Sequence, residues 1–288
     1  MVKCSNRYGR IMLVALSPAF LVAAPAAAQE IDPADTAFSG DYLSVGVGVA
    51  VVPSYAGSDD YVFTPVPAVQ GSIGGVGINP RGGGIALDFV PASGNVDFDL
   101  GIAGKLRSDR AVQIEDPVVL GLGKLDRAIE VGPTVGVGFT QVLNPYDSLS
   151  FSADVLWDVN GAHGGVTASP SVSYFTPLSQ SLAAALSLSA EWADDDFQDY
   201  YYTVTAAQSV ATGGVLAPFA PKGAGFTRAG ATLLMVADLN GNLADGGLAV
   251  FAAGGYSRML GDAKRTPFTS TVGSADQFVG GIGIGYTF

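Results

Sequence analysis

The sequence is short of nearly every residue on which catalysis and covalent cross-linking depend. It has one cysteine, Cys4, and one histidine, His163. Cys4 lies in the basic head of an N-terminal export segment, so neither a disulfide nor a thiolate metal site is expected in the exported chain. Its place also excludes a lipidated cysteine, which would have to become the first residue after cleavage. Bases are scarce as well, with 14 Lys and Arg against 26 Asp and Glu and a formal charge of −12. That balance excludes nucleic acid as a partner, because phosphate binding needs clustered cations, and it offers no attraction to anionic lipid. After residue 28 no apolar run approaches the ~20 residues of a membrane-spanning helix. If the chain crosses a bilayer, it does so with strands.

Residues 1–28 read as a secretory signal peptide, with Lys3, Arg7 and Arg10 at the head, an apolar run over 11–24, and the small exit Ala26-Ala27-Ala28 before Gln29. Its removal takes three bases and no acid, moving the formal charge from −12 to −15. No linker or compositional break divides the rest. The expected organisation is a signal peptide (1–28), a periplasmic N-terminal segment (29–40) and an outer-membrane β-barrel (41–288).

What is present is alternation. Over 41–52, Leu43, Val45, Val47, Val49 and Val51 form one face, and Ser44, Gly46, Gly48 and Ala50 the other. This is the period of a strand with unlike surroundings on its two sides, not the 3.6 of a helix. The same pattern runs through 96–107, 129–139, 149–157, 166–174 and 182–192, and through the last strand, where Phe278, Ile282, Ile284, Tyr286 and Phe288 oppose a face made mostly of glycine. The obvious strands number eleven, whereas a bacterial barrel with both ends in the periplasm needs an even count. Short connections at 91–95, 144–147, 177–180 and 240–242, and long ones at 108–127, 160–165, 193–225 and 261–275, stay on opposite sides only if another strand lies between 60 and 84. It is expected at 72–79, after a turn near Gln70-Gly71. The expected fold class is therefore all-β, a transmembrane antiparallel up-and-down barrel of twelve strands, with ten strands and a re-entrant segment as the alternative. Trp157 and Trp192 at one rim, and Tyr286 and Phe288 at the other, fit the two aromatic girdles of membrane barrels. A soluble lipocalin-like barrel would invert the faces, a difference the sequence alone does not register.

The polar faces carry Asp88, Asp97, Asp99, Glu130, Asp154, Asp158, Glu191 and Asp238 with Lys105, Arg107 and Arg228. They are expected to line the lumen, either as a narrow cation-preferring pore or as a packed interior that neutralises itself. Lys105 and Arg107 stand opposite Glu130 on the next strand, placing ion pairs within reach. Catalysis has little to work with. His163 with Asp158 nearby is the single pairing an outer-membrane protease or lipase could use, and a solvated loop histidine is the expectation. The loop acids Asp59, Asp60, Asp194, Asp195, Asp196 and Asp199 match no calcium-loop spacing and are expected to be solvated. No cofactor is implied.

Several segments together resemble the MipA/OmpV family of outer-membrane proteins, the MltA-interacting proteins. They are Pro53-Ser-Tyr-Ala-Gly-Ser-Asp-Asp60, Gly121-Leu-Gly-Lys-Leu-Asp126, Trp192-Ala-Asp-Asp-Asp196, Val204-Thr-Ala-Ala-Gln-Ser209, Tyr256-Ser-Arg-Met-Leu-Gly-Asp-Ala263, and Gln277-Phe278 leading to Tyr286-Thr-Phe288. Two places depart from the family pattern, Tyr201-Tyr-Thr-Val204 and Ala263-Lys-Arg-Thr-Pro267. The resemblance implies a non-enzymatic barrel in the bacterial outer membrane, in contact with its lipid and lipopolysaccharide. It implies a scaffold for murein-synthesising and murein-cleaving enzymes in some members, with a lytic transglycosylase and a penicillin-binding protein as partners, and solute or antibiotic passage in others. Tyr286 and Phe288 resemble the C-terminal signal read by the barrel assembly machinery.

Overall fold

The computed structural model describes residues 36–91 and 94–288. The signal peptide and most of the 29–40 segment lie outside the described residues. The rest forms one closed antiparallel barrel of twelve strands. These are β1 (Tyr42–Pro53), β2 (Tyr61–Ile73), β3 (Val76–Arg81), β4 (Gly84–Asp88), β5 (Val96–Arg107), β6 (Ala128–Thr140), β7 (Ser148–Asp158), β8 (Val166–Pro177), β9 (Leu182–Ala193), β10 (Gly225–Asp238), β11 (Gly247–Met259) and β12 (Asp276–Thr287). Each pairs with its neighbours in sequence, and β12 closes on β1 from Ser44↔Thr287 to Val51↔Gly280. Beyond that ladder, Phe288 N–H donates to the Leu43 carbonyl at 3.0 Å, so the last residue ends the closing strand at the rim where β1 begins.

The strands number twelve, as parity requires, but one lies away from its expected place. The added strand is Val76–Arg81, not 72–79, and the turn before it is Gly74-Gly75, not Gln70-Gly71. Both glycines have positive φ, 60° and 81°, the two-residue turn whose twist suits a hairpin and which favours glycine at both positions. Short turns lie at the rim holding Phe288, and the long loops lie at the other.

The faces are those of a membrane barrel. Ile282 on the outside is 63% exposed, whereas Glu130 on the inside is 0% exposed. Val45, Val47 and Val49, Phe98, Leu100 and Ile102, and Leu186 and Leu188 are likewise exposed outward, which inverts a soluble barrel. A 12-residue strand such as β5 rises about 40 Å along its length, or roughly 30 Å at a tilt near 40°, enough for an apolar band of ~25 Å. Each of these side chains gains about 1.5–3 kcal/mol in hydrocarbon over water, so the outer face favours an apolar surrounding.

The glycine face of β1 and β12 has a packing reason. Phe251 pairs with Gly283 and therefore faces inward. A Cβ at Gly46 would lie 3.1 Å from the Phe251 ring, and Gly283 leaves room for that ring as well. Bare backbone is the floor on which an aromatic ring lies inside the lumen.

Candidate functional site

At the loop rim the long connections fold into a core of their own. Loop 54–60 supplies Tyr55. Loop 108–127, with α1 (Pro117–Leu120), supplies Ile114, Val119 and Leu122. Loop 194–224, with α2 (Asp195–Tyr202) and α3 (Ala206–Ala211), supplies Phe197, Tyr201, Tyr202, Val204 and Leu216. Loop 260–275, with α4 (Gly261–Arg265) and α5 (Pro267–Ser270), supplies Ala263 and Phe268. Polar ties lock these loops together. Ala56 N–H donates to Asp109 at 2.8 Å, the Gln208 amide donates to the Leu122 carbonyl at 3.0 Å, and the Thr266 hydroxyl donates to the Tyr202 carbonyl at 2.9 Å. Arg110 donates to the Tyr201 carbonyl and lies 4.5 Å from the Phe268 ring centre. Burial lowers the Arg110 pKa, and burial raises those of Tyr55, Tyr201 and Tyr202 above the ordinary tyrosine value. The segments that carry the family resemblance meet here, through Tyr55, Leu122, Val204 and Ala263.

The acids expected to be solvated are partly structural. Asp194 caps α2 through the Phe197 N–H at 3.1 Å and accepts from Val166 N–H at 2.8 Å. Asp195 accepts from Ala224 N–H. A carboxylate at a helix start satisfies orphan N–H groups and meets the positive end of the dipole.

Beneath this cap, α2 presses Phe197 and Tyr201 into the barrel mouth, where they meet the inner charges. The Arg107 guanidinium lies 4.6 Å from the Phe197 ring centre. It pairs with Glu130 on the adjacent strand at 2.6 Å and with Glu191 across the lumen at 2.9 Å. Glu191 also receives Lys105 at 3.0 Å, Arg228 at 3.2 Å and the Thr227 hydroxyl at 3.1 Å. His163 is buried, not solvated as its loop position implied. Its Nδ1 accepts the Gly165 N–H at 3.0 Å, so Nε2 carries the proton and donates to Glu130 at 3.2 Å. Three bases and two acids thus form one connected hub.

The other expected lumen residues have separate tasks. Asp154 binds Arg81 at 3.0 Å and the Thr134 hydroxyl at 2.6 Å. Arg81 is an inner base that was not among the expected lumen residues. Asp88 accepts from Val90 and Leu100 N–H groups at 3.1 and 2.8 Å, closing the turn after β4. Asp158 gathers four N–H groups of the next loop, from Asn160, Gly161, His163 and Gly164, within 3.2 Å. Asp238 gathers Asn240, Gly241 and Asn242 within 3.0 Å. Asp97 and Asp99 face the lumen nearer the turn rim, two positions apart on β5.

The turn rim is ordered by the same device. Asp147, which no sequence pattern flagged, accepts from Val142, Leu143 and Asn144 N–H groups and from the Tyr174 hydroxyl, at 2.6–3.2 Å. Burial works to raise its pKa, but the Tyr174 hydroxyl and the three N–H groups outweigh it and hold the carboxyl below its usual range. The clamped turn presents Leu143, 80% exposed, and the next two turns present Leu178 and Leu239. Thr36–Ser39 lies against this rim, with Ala37 N–H donating to the Ala244 carbonyl at 2.7 Å.

Comparison with known proteins places these features in a family. The family model described as MltA-interacting protein MipA matches residues 45–288. No curated protein matches the chain. Among solved structures, an outer membrane channel from Pseudomonas putida F1 is similar at 13% identity, with a TM-score of 0.41, 90% of this chain and 100% of that chain covered. The toluene transporter TodX of Pseudomonas putida is similar at 7% identity, with a TM-score of 0.35 and coverages of 86% and 89%.

Proposed function

The chain belongs to the MipA family, and from that membership we propose that it is a non-enzymatic outer-membrane docking barrel, offering its turn rim to a periplasmic murein-cleaving enzyme of the MltA type. The observation that carries this reading is the closure of the loop end. Among the described residues, a core of aromatic side chains lies above an ion-pair hub at the loop end, an arrangement unlike the open mouth of a general diffusion pore. The turn rim remains as the working surface. Leu143, Leu178 and Leu239 stand out from turns whose backbones are held by Asp147 and Asp238. Preordered apolar knobs bind without a large entropic cost of immobilisation. The rim is small beside the ~800 Å² per partner of a standard interface, which matches a docking contact reinforced by the 29–40 segment. The test is co-purification of a lytic transglycosylase with wild type and with Leu143→Asp, Leu178→Asp and Leu239→Asp variants. Loss of capture in correctly assembled variants is expected. Undiminished capture by the triple variant refutes the docking surface.

A second reading rests on Asp97 and Asp99, which face the lumen below the hub. A cation-preferring channel gated by movement of α2 would conduct in planar bilayers once that helix is displaced, and neutralising both acids would reduce its selectivity. Silence from a variant lacking 195–202 removes this reading.

A further inference from the structure

Among the described residues, the longest break in the barrel wall runs along one seam. β2 is 13 residues long, yet it pairs with β3 only at Gly71↔Ile78, Ser72↔Gly77 and Ile73↔Val76. On its other side the same strand pairs with β1 along its whole length, from Tyr42↔Ser72 to Pro53↔Tyr61. Among the described residues, no backbone hydrogen bond takes the β3-facing edge of β2 over residues 61–70.

The sequence explains why the ladder stops. In an antiparallel strand the N–H and C=O groups of alternate residues point to opposite neighbours. Ser54 N–H donates to the Asp60 carbonyl at 2.9 Å, so even-numbered residues of β2 face β1 and odd-numbered residues face the seam. Pro65 and Pro67 are therefore seam-facing positions. On the opposite rim, Val76 and Ile78 face β2 in the paired part, so Pro80 is the next seam-facing residue. The rung after Gly71↔Ile78 would need Pro80 to donate to Val69, and proline has no N–H to give. Pro80 thus stops the ladder, and in the same register Pro67 and Pro65 lie past the end of β3, where no strand stands opposite β2.

Open sheet edges are not left bare to hydrocarbon, because each orphaned polar group costs several kcal/mol there. This edge keeps all five odd-numbered carbonyls, at 61, 63, 65, 67 and 69, but the two prolines reduce its N–H groups to three. It is an edge of acceptors. The side chains flanking it are mostly apolar, with Phe63, Pro65 and Pro67 outward and Thr64, Val66 and Ala68 inward. Phe63 is 74% exposed, and Val66, although it faces inward, is 37% exposed.

We propose that the seam along β2, beside and above the β3–β4 hairpin, is a lateral port joining the lumen to the bilayer, and that it admits a small amphiphile with an apolar body and an uncharged hydrogen-bond donor at its head. The apolar flanks take the body and the free carbonyls take the donor. The closed loop end directs such a molecule sideways rather than upward. The port is independent of the docking role, since it uses neither the turn tips nor the 29–40 segment.

The test uses the full chain in lipid vesicles, in a Cys4→Ser background, with Val66→Cys or Ala68→Cys at the seam and Ala253→Cys as an inward position on a fully paired wall. A maleimide carried on a phospholipid acyl chain is the probe. The seam thiols should be labelled at least about ten times faster than the β11 thiol, and 1-decanol should slow that labelling whereas decane should slow it less. Equal labelling at the three positions overturns the port. Protection by decane equal to that by decanol, or by neither, overturns the proposed ligand chemistry. Val66→Cys shrinks its side chain and Ala68→Cys enlarges it, so a folding defect at one leaves the other to decide.

Discussion

Replacing Glu191 with glutamine should loosen the plug while leaving the barrel intact. Glu191 is the shared acceptor for Lys105, Arg107 and Arg228, at 3.0, 2.9 and 3.2 Å. The substitution keeps the volume and removes the charge, so the three cations are left with Glu130 alone and the hub changes from one net positive charge to two. Breaking a buried ion pair by removing one partner costs about 3–5 kcal/mol, because the remaining charge stays desolvated. Arg228 is the most exposed of the three and can turn to water, which moves the figure toward the lower end. At about 1.4 kcal/mol per tenfold, the balance between docked and released α2 shifts by roughly two to three powers of ten. Amide hydrogen exchange on Asp195–Tyr202 in detergent micelles reads this directly, as a fall in protection of about that factor, while amides of β12 stay unchanged. Arg258→Gln is the control, since its pair with Asp276 is 3.7 Å long and half exposed and contributes little. Equal protection in wild type, Glu191→Gln and Arg258→Gln refutes the claim that the hub holds the plug.

Two further outcomes follow from the ends of the molecule. Burial raises the Tyr201 and Tyr202 pKa values above the ordinary value near 10; a raised folded value means stability that is complete below pH 10 and lost above it, so absorbance at 295 nm should show late, cooperative ionisation as the cap opens, and simple titration at pH 10 would contradict the packed cap. At the other rim, we propose that Tyr286 and Phe288 serve recognition by the assembly machinery: deleting Phe288 should lower the amount of barrel in the outer membrane without altering its spectrum once folded, and normal membrane levels would remove that role.

Most of the wall was legible because a strand between lipid and lumen must alternate, and because turns and loops must keep to opposite rims. The short strand β3 was not. Gly74, Gly75, Gly82 and Gly83 bracket only six residues, too few for their alternation to fix the ends, so the count survived but the position did not. Phe251 escaped notice for a related reason: it sits on the face of small residues, and only the register with Gly283 shows the space made for it. The hub was half visible, since Lys105, Arg107 and Glu130 are near in sequence pattern, but its completion by Glu191 and His163 depends on wall curvature. The cap was invisible. Its contacts join Tyr55 to Phe268 and Arg110 to Tyr201, and no periodicity encodes packing between loops.

Arg107 belongs to β5 and Glu191 to β9, a third of the way around the hoop. Their bond is a chord, and a hoop with a chord cannot flatten without stretching it. Hydrogen-bonded walls resist separation of neighbouring strands but yield readily to a change from circle to ellipse, the deformation that lateral pressure in a bilayer produces. The Arg81–Asp154 bond, from β3 to β7, is a second chord over the same arc at a lower level, so a few charges brace the cylinder at two heights rather than one.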